Sequence, residues 1–112
     1  MLLLVVDTQK GCFNKNLYLF ETVKKNIKQL ITTARENNVE VVYVQHDDGP
    51  GTDLDKSADN YEIDEEFAPR DGEKRVEKNV AFYINNGFTL VKEETLECNA
   101  KFIGNWTFRM DL

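Results

Sequence analysis

The chain has 112 residues, enough for one domain and too few for two. Hydrophobic residues make up 41% and charged residues 30%, an ordinary composition for a globular chain. A net charge of −6 with no basic stripe argues against nucleic acid, and no apolar run approaches the ~20 residues that span a bilayer. The apolar start is too short for a signal peptide and lacks a basic flank. Cys12 and Cys98 are widely spaced and form no CxxC, which points to reduced thiols and a cytoplasmic location. Arg70, Lys74, Arg75 and Lys78 are interleaved with Asp71, Glu73 and Glu77, the pattern of a solvated face.

The run Leu2-Leu3-Leu4-Val5-Val6 predicts a strand buried on both faces, the habit of parallel sheets. Asp7 follows it directly, at the carboxyl end where open α/β sheets place ligands. The plainer reading makes Asp7 a turn or helix cap. A loop over 11–19 leads into Phe20, Val23, Ile27, Leu30, Ile31 and Ala34, whose spacing predicts an amphipathic helix over roughly 20–37. Asn37-Asn38 closes it, since Asn tolerates the left-handed turn that ends helices. Val39 to Val44 reads as a second buried strand, completing a βαβ unit with an expected right-handed crossover.

From Gln45 to Arg75 the chain is polar and acidic, with one short helical turn expected around Ile63 to Phe67. A loop of this length in a compact domain is usually a functional lid or disordered. Beyond Arg75, Val76, Val80 and Phe82 suggest a short strand or the approach to a helix, and two divisions of the tail follow. One makes Phe88, Val91, Thr95 and Cys98 a helix and Ala100 to Ile103 a third core strand ending at Gly104. The other makes Ala81 to Asn86 helical, Gly87 its C-cap and Phe88 to Val91 a strand. Periodicity does not choose between them.

These residues resemble the isochorismatase-like cysteine hydrolases, which include nicotinamidases, carbamoylsarcosine amidohydrolases and isochorismatases. The likeness rests on LLLVVDTQ with Asp7 and Gln9, on Phe13 shortly after, and on VEVVYVQHDD with His46. It continues in EKNVAF, where Lys78 stands before Ala81-Phe82. In FIGNWTFRMDL, Gly104 and Thr107 match a later motif, but Met110 stands where the family has its cysteine. The resemblance implies a single α/β domain over 1–112, a partial three-layer α/β sandwich with a mostly parallel sheet. The family's remaining strands and helices would then be missing, and with them the nucleophile.

The family hydrolyses small amides with a Cys thiolate, an Asp that carries the proton and a Lys that tunes the thiol. Carried over residue by residue, Asp7 is the general acid/base and Lys78 its electrostatic partner, with Gln9, Phe13 and His46 lining the substrate site. Cys12 lies near enough in sequence to border the cleft, but lacks the oxyanion-hole donors that came with the lost segment. Nicotinamidases bind metal through an Asp and two His residues, and this chain has one His, so neither metal nor cofactor is expected. Isochorismatases proper protonate a vinyl ether through the Asp, which Asp7 would do only with a raised pKa in a dry pocket. The leading expectation is a cysteine-hydrolase relative for a small amide, impaired by loss of its nucleophile. The alternative is a non-catalytic binding or assembly module, and exposed sheet edges favour a homo-oligomer in either case. A receiver-like or flavodoxin-like domain ranks last, since no second acid or Gly-rich phosphate loop accompanies the first strand.

Overall fold

The computed structural model describes residues 1–98 and 101–110. Strand Leu2–Val6 (β1) leads through helix Phe20–Glu36 (α1) to strand Glu40–His46 (β2), and later to strand Lys74–Lys78 (β3). A short helix, Val80–Asn85 (α2), precedes strands Phe88–Cys98 (β4) and Lys101–Met110 (β5). β1, β2 and β3 form an open parallel sheet in that order, with Leu4 opposite Val42 and Val44 opposite Val76. β4 and β5 form a separate antiparallel pair. The α/β class with a parallel sheet therefore holds.

Parallel neighbours need a crossover of a dozen or more residues, and α1 supplies the first. Its residues Phe20, Ile27, Ile31 and Ala34 pack on Leu3, Val5, Val41 and Tyr43 of the sheet. Tyr43 has no exposed surface and Ile31 is 3% exposed, each such burial being worth roughly 1.5–3 kcal/mol. The helix ends as expected, with Asn38 at φ +55 and the Val39 N–H donating to Ala34 O at 2.8 Å. Its start is less favourable, because Leu19 sits at φ +51 and offers no side-chain cap. A left-handed leucine costs about 1–2 kcal/mol. Leu19 is also largely exposed. Leu19→Gly is accordingly expected to raise the unfolding free energy by about 1 kcal/mol, read as a higher urea midpoint at constant m-value.

The long second crossover is an ordered strap packed on the core. It holds two 3₁₀ turns, Asp59–Tyr61 and Glu65–Phe67, the latter where a helical turn was expected. Its apolar residues Leu54, Ile63 and Phe67 are buried, and Phe67 meets Phe13 edge-on at 5.0 Å between ring centroids. Backbone bonds tie it to the loop after β1: Asp64 N–H to Thr8 O at 2.8 Å, Lys10 N–H to Glu62 O at 2.9 Å, and Gly11 N–H to Asn60 O at 3.0 Å. Gly11 is closely approached at this contact: a Cβ there would lie 2.8 Å from Leu54 Cδ2 and 3.0 Å from Asn60 Cβ, so the strap would have to shift to admit one. Three widely spaced apolar anchors give no periodic signal, yet they suffice to pack a polar strap against the core.

The second division of the tail is the one observed. α2 is closed by Gly87 at φ +87, and Phe88 opens a strand. The rival helix through Phe88, Val91, Thr95 and Cys98 is replaced by an eleven-residue strand. Lys101 to Ile103 belong to β5, which pairs with β4 and not with the parallel sheet, while Ala100 lies outside the described residues. Spacings of three and four fit a helix, but β-branched Thr89, Val91 and Thr95 serve a strand once a partner is present.

Candidate active site

Parallel strands deliver their carboxyl ends to one edge of a sheet, so residues 7, 46 and 78 come together although the sequence separates them widely. Asp7 follows β1, His46 ends β2 and Lys78 ends β3, with His46 directly opposite Lys78. The Asp7 N–H still donates to Val44 O at 3.0 Å, and at φ +57 the chain then turns away from the sheet. Asp is among the few residues that accept this backbone state. The Lys78 Nζ donates to Asp7 Oδ2 at 2.9 Å. Because β2 lies between their strands, the lysine side chain, the bond and the Asp7 side chain together bridge roughly two strand spacings, ~9–10 Å, across the end of β2. Asp7 Oδ1 is buried and has no hydrogen-bond partner among the described residues.

His46 is held from both sides. A carboxylate only accepts, so its Nε2–H donates to Asp48 Oδ1, at 2.7 Å, with the two side chains 18% and 4% exposed. Asp47 and Asp48 both have local partners: the Asp47 carboxylate accepts the Gly49 N–H at 2.9 Å while Asp48 orients the imidazole. An Asp two residues before Gly in a turn is the signal that was available for this. Gln9 is wholly buried, its Oε1 accepting the His46 N–H at 2.7 Å and its Nε2 donating to His46 O at 2.9 Å. Its amide thus acts as an added backbone unit at the end of β2 and pins the loop that carries Asp7. Phe13 is 7% exposed, in a cluster with Phe20 at 4.9 Å and Phe67. The structure brings Asp7 and Lys78 into contact, sets His46 beside them, and places Gln9 and Phe13 in the layer beneath.

A second polar cluster escaped the sequence reading. Glu77 accepts from Lys56 Nζ at 2.8 Å, Tyr61 Oη at 3.0 Å and Asn79 Nδ2 at 3.1 Å. Burial, and then the bond to Glu77, push the Tyr61 hydroxyl up to about 12. Gln45 Nε2 donates to Tyr61 O at 3.0 Å, so the strap is fastened to β2 and β3 beside the strand ends. Among the described residues no group of three or more potential metal ligands gathers, and no helix is long and apolar enough to cross a membrane.

An open parallel sheet with a carboxylate and a lysine paired over its carboxyl ends has the layout of an α/β enzyme domain. The isochorismatase domain model matches residues 1–96, and the chain belongs to that family. Among solved structures, an isochorismatase family protein is 26% identical, with a TM-score of 0.61 over 75% of this chain and 53% of its own. An isochorismatase from Pseudomonas putida is 26% identical, with a TM-score of 0.58 over 69% of this chain and 41% of its own. The N-carbamoylsarcosine amidase of Thermoplasma acidophilum is 27% identical, with a TM-score of 0.55 over 68% of this chain and 50% of its own. The chain thus spans about half the length of these solved relatives. None of the curated proteins matches it. The matched residues stop at 96, so Gly104, Thr107 and Met110 on β5 lie beyond them.

Proposed function

We propose that this chain is a cysteine-hydrolase relative whose strand-end site takes a small amide or a related C–N compound but lacks the nucleophile to cleave it. The observation that carries this reading is the Asp7 carboxylate, with Oδ2 held by Lys78 and Oδ1 buried without a partner. A buried acceptor left open costs about 1–3 kcal/mol, and an amide N–H of a bound ligand would satisfy it. The same carboxylate would carry a proton between ligand and solvent, the general acid/base part of amide hydrolysis. Attack on the carbonyl requires a thiolate facing oxyanion donors. Cys12 sits on the loop after β1, its N–H donating to Gln9 O, and neither family motif places a nucleophile there. A cytoplasmic location fits two widely spaced cysteines. A non-catalytic assembly module is the second reading, favoured by the exposure of Leu2, Leu4 and Val6 on β1.

The test is titration of the full chain with a panel of small primary amides and ureides, followed by calorimetry and by ammonia release. Binding without ammonia release is the expected result, and Lys78→Met should weaken it about tenfold by freeing the Asp7 carboxylate from its fixed position. Ammonia release abolished by Cys12→Ala would sink the claim that the nucleophile is missing. A panel in which nothing binds would transfer the chain to the assembly reading.

A further inference from the structure

We infer that Glu77 is a positioning residue for Lys78: it ties β3 to the strap and so fixes the backbone from which Lys78 reaches Asp7. The inference rests on the strand-end site being the ligand site proposed above. Glu77 and Lys78 are neighbours in β3, and successive side chains of a strand point to opposite faces. Glu77 pairs with Gln45, which follows Val41 and Tyr43 on the face toward α1, whereas Lys78 pairs with His46 on the other face. One residue is therefore gripped by the strap while the next reaches over the end of β2 to the Asp7 carboxylate.

The Glu77 carboxylate gathers donors from both sides of the strand. Lys56 and Tyr61 come from the strap, at 2.8 and 3.0 Å, and Asn79 Nδ2 comes from just past β3, at 3.1 Å. The Asn79 bond closes around Lys78, joining the residues on either side of it. The same side chain accepts the Phe82 N–H at 2.8 Å through Oδ1, so it also anchors the first turn of α2. On the β2 side, the Lys78 carbonyl accepts the Asp47 N–H at 3.0 Å. The backbone at Lys78 is thus held before, at and after the residue, which gives a long flexible stem a fixed origin. Burial opposes ionisation of Glu77, but the bonds from Lys56 and Tyr61 outweigh it and hold its carboxyl below the ordinary 4.5. The cluster is therefore charged at neutral pH.

The experiment reads Lys78 in the full chain, first without ligand and then with it. Without ligand, the Lys78 ammonium is followed by proton–nitrogen NMR, its signal assigned by its loss in Lys78→Met. The lysine side chain is 18% exposed, so its bond to Asp7 slows exchange with water. Tyr61→Phe and Glu77→Ala should speed that exchange by about threefold and about tenfold, following the number of bonds each removes. Lys28→Met, which cuts the strap's 2.6 Å ion pair to α1 at Glu66, should leave it unchanged. Acetamide and N-methylurea then serve as ligands. Glu77→Ala should weaken their binding about fivefold in the parent and not at all in a Lys78→Met background, where nothing is left to position. Unchanged ammonium exchange in Glu77→Ala overturns the inference. So does a Lys28→Met that speeds exchange equally, since the strap would then act only as a whole, and so do binding losses that add in the double variant. Should Glu77→Ala fail to fold, Tyr61→Phe carries both readouts. Should neither ligand bind, the ligand reading of the site falls, and the ammonium exchange alone upholds or overturns the role of Glu77.

Discussion

Phe67→Ala will lower the unfolding free energy by about 3–5 kcal/mol, the cost of a large cavity in a packed core. Phe67 is 2% exposed and belongs to the same cluster as Val5, Phe13, Ile31 and Tyr43. A domain of this size is stabilised by only ~5–15 kcal/mol, so the loss is a large share of the whole. The effect also has a location. Phe67 anchors the strap between β2 and β3, and β3 carries Lys78, so the truncation should loosen the Asp7–Lys78 contact before the sheet itself melts. Hydrogen exchange should then show the amides of Asp64 and Phe67, which donate to Thr8 O and Asp64 O, losing protection ahead of those in β1. A urea titration in which Phe67→Ala costs less than about 1 kcal/mol would mean that the strap does not share the core.

Arg35→Ala is expected to cost about 2–3 kcal/mol, below the figure for a fully buried pair because both side chains keep some contact with water. Arg35 Nη2 lies 2.7 Å from Glu73 Oε1, with the side chains 19% and 14% exposed, and it also donates to Tyr43 Oη and Ala68 O. The guanidinium bond to Glu73 holds that carboxyl below its ordinary 4.5, outweighing the opposing effect of burial. A carboxylate whose folded pKa is depressed contributes stability that is fully present above the unfolded value. That contribution is lost as the pH falls through the folded value. Parent and Arg35→Ala should therefore differ most above pH 4.5 and converge in more acidic solution. Unfolding free energies measured between neutral and acidic pH check this, and a difference that stays constant across the window would remove Glu73 from the account.

Much of the site was legible because it follows an apolar strand. An acid directly after Leu2 to Val6 has to sit at the carboxyl end of β1, and a hydrophobic run of that kind has few other uses. Lys78 was legible only through its likeness to a family motif. Nothing local distinguishes it from Arg70, Lys74 or Arg75. What selects it is the β2–β3 register, which sets Lys78 opposite His46 and so at the level of Asp7. The supporting residues were less visible. The Asp48 bond to His46 spans two residues but depends on a turn, and the Gln9 clamp on His46 spans 37.

Local pattern alone determined β1, α1 and β2 as elements. It put both faces of β1 inside, whereas Leu2, Leu4 and Val6 are about half exposed and, among the described residues, only the face toward α1 is covered. It also determined the close of α1 at Asn37 and Asn38, where the left-handed turn is a property of the residue itself. Tertiary structure decided the rest. The strap between β2 and β3 became ordered through Leu54, Ile63 and Phe67, contacts whose value depends on a core built by distant residues. The tail became α2 and a β4–β5 hairpin since strand pairing, unlike helix formation, needs a partner that the segment does not contain. The Asp7–Lys78 pair exists for the same reason, as two charges 71 residues apart meet only after three strands have aligned.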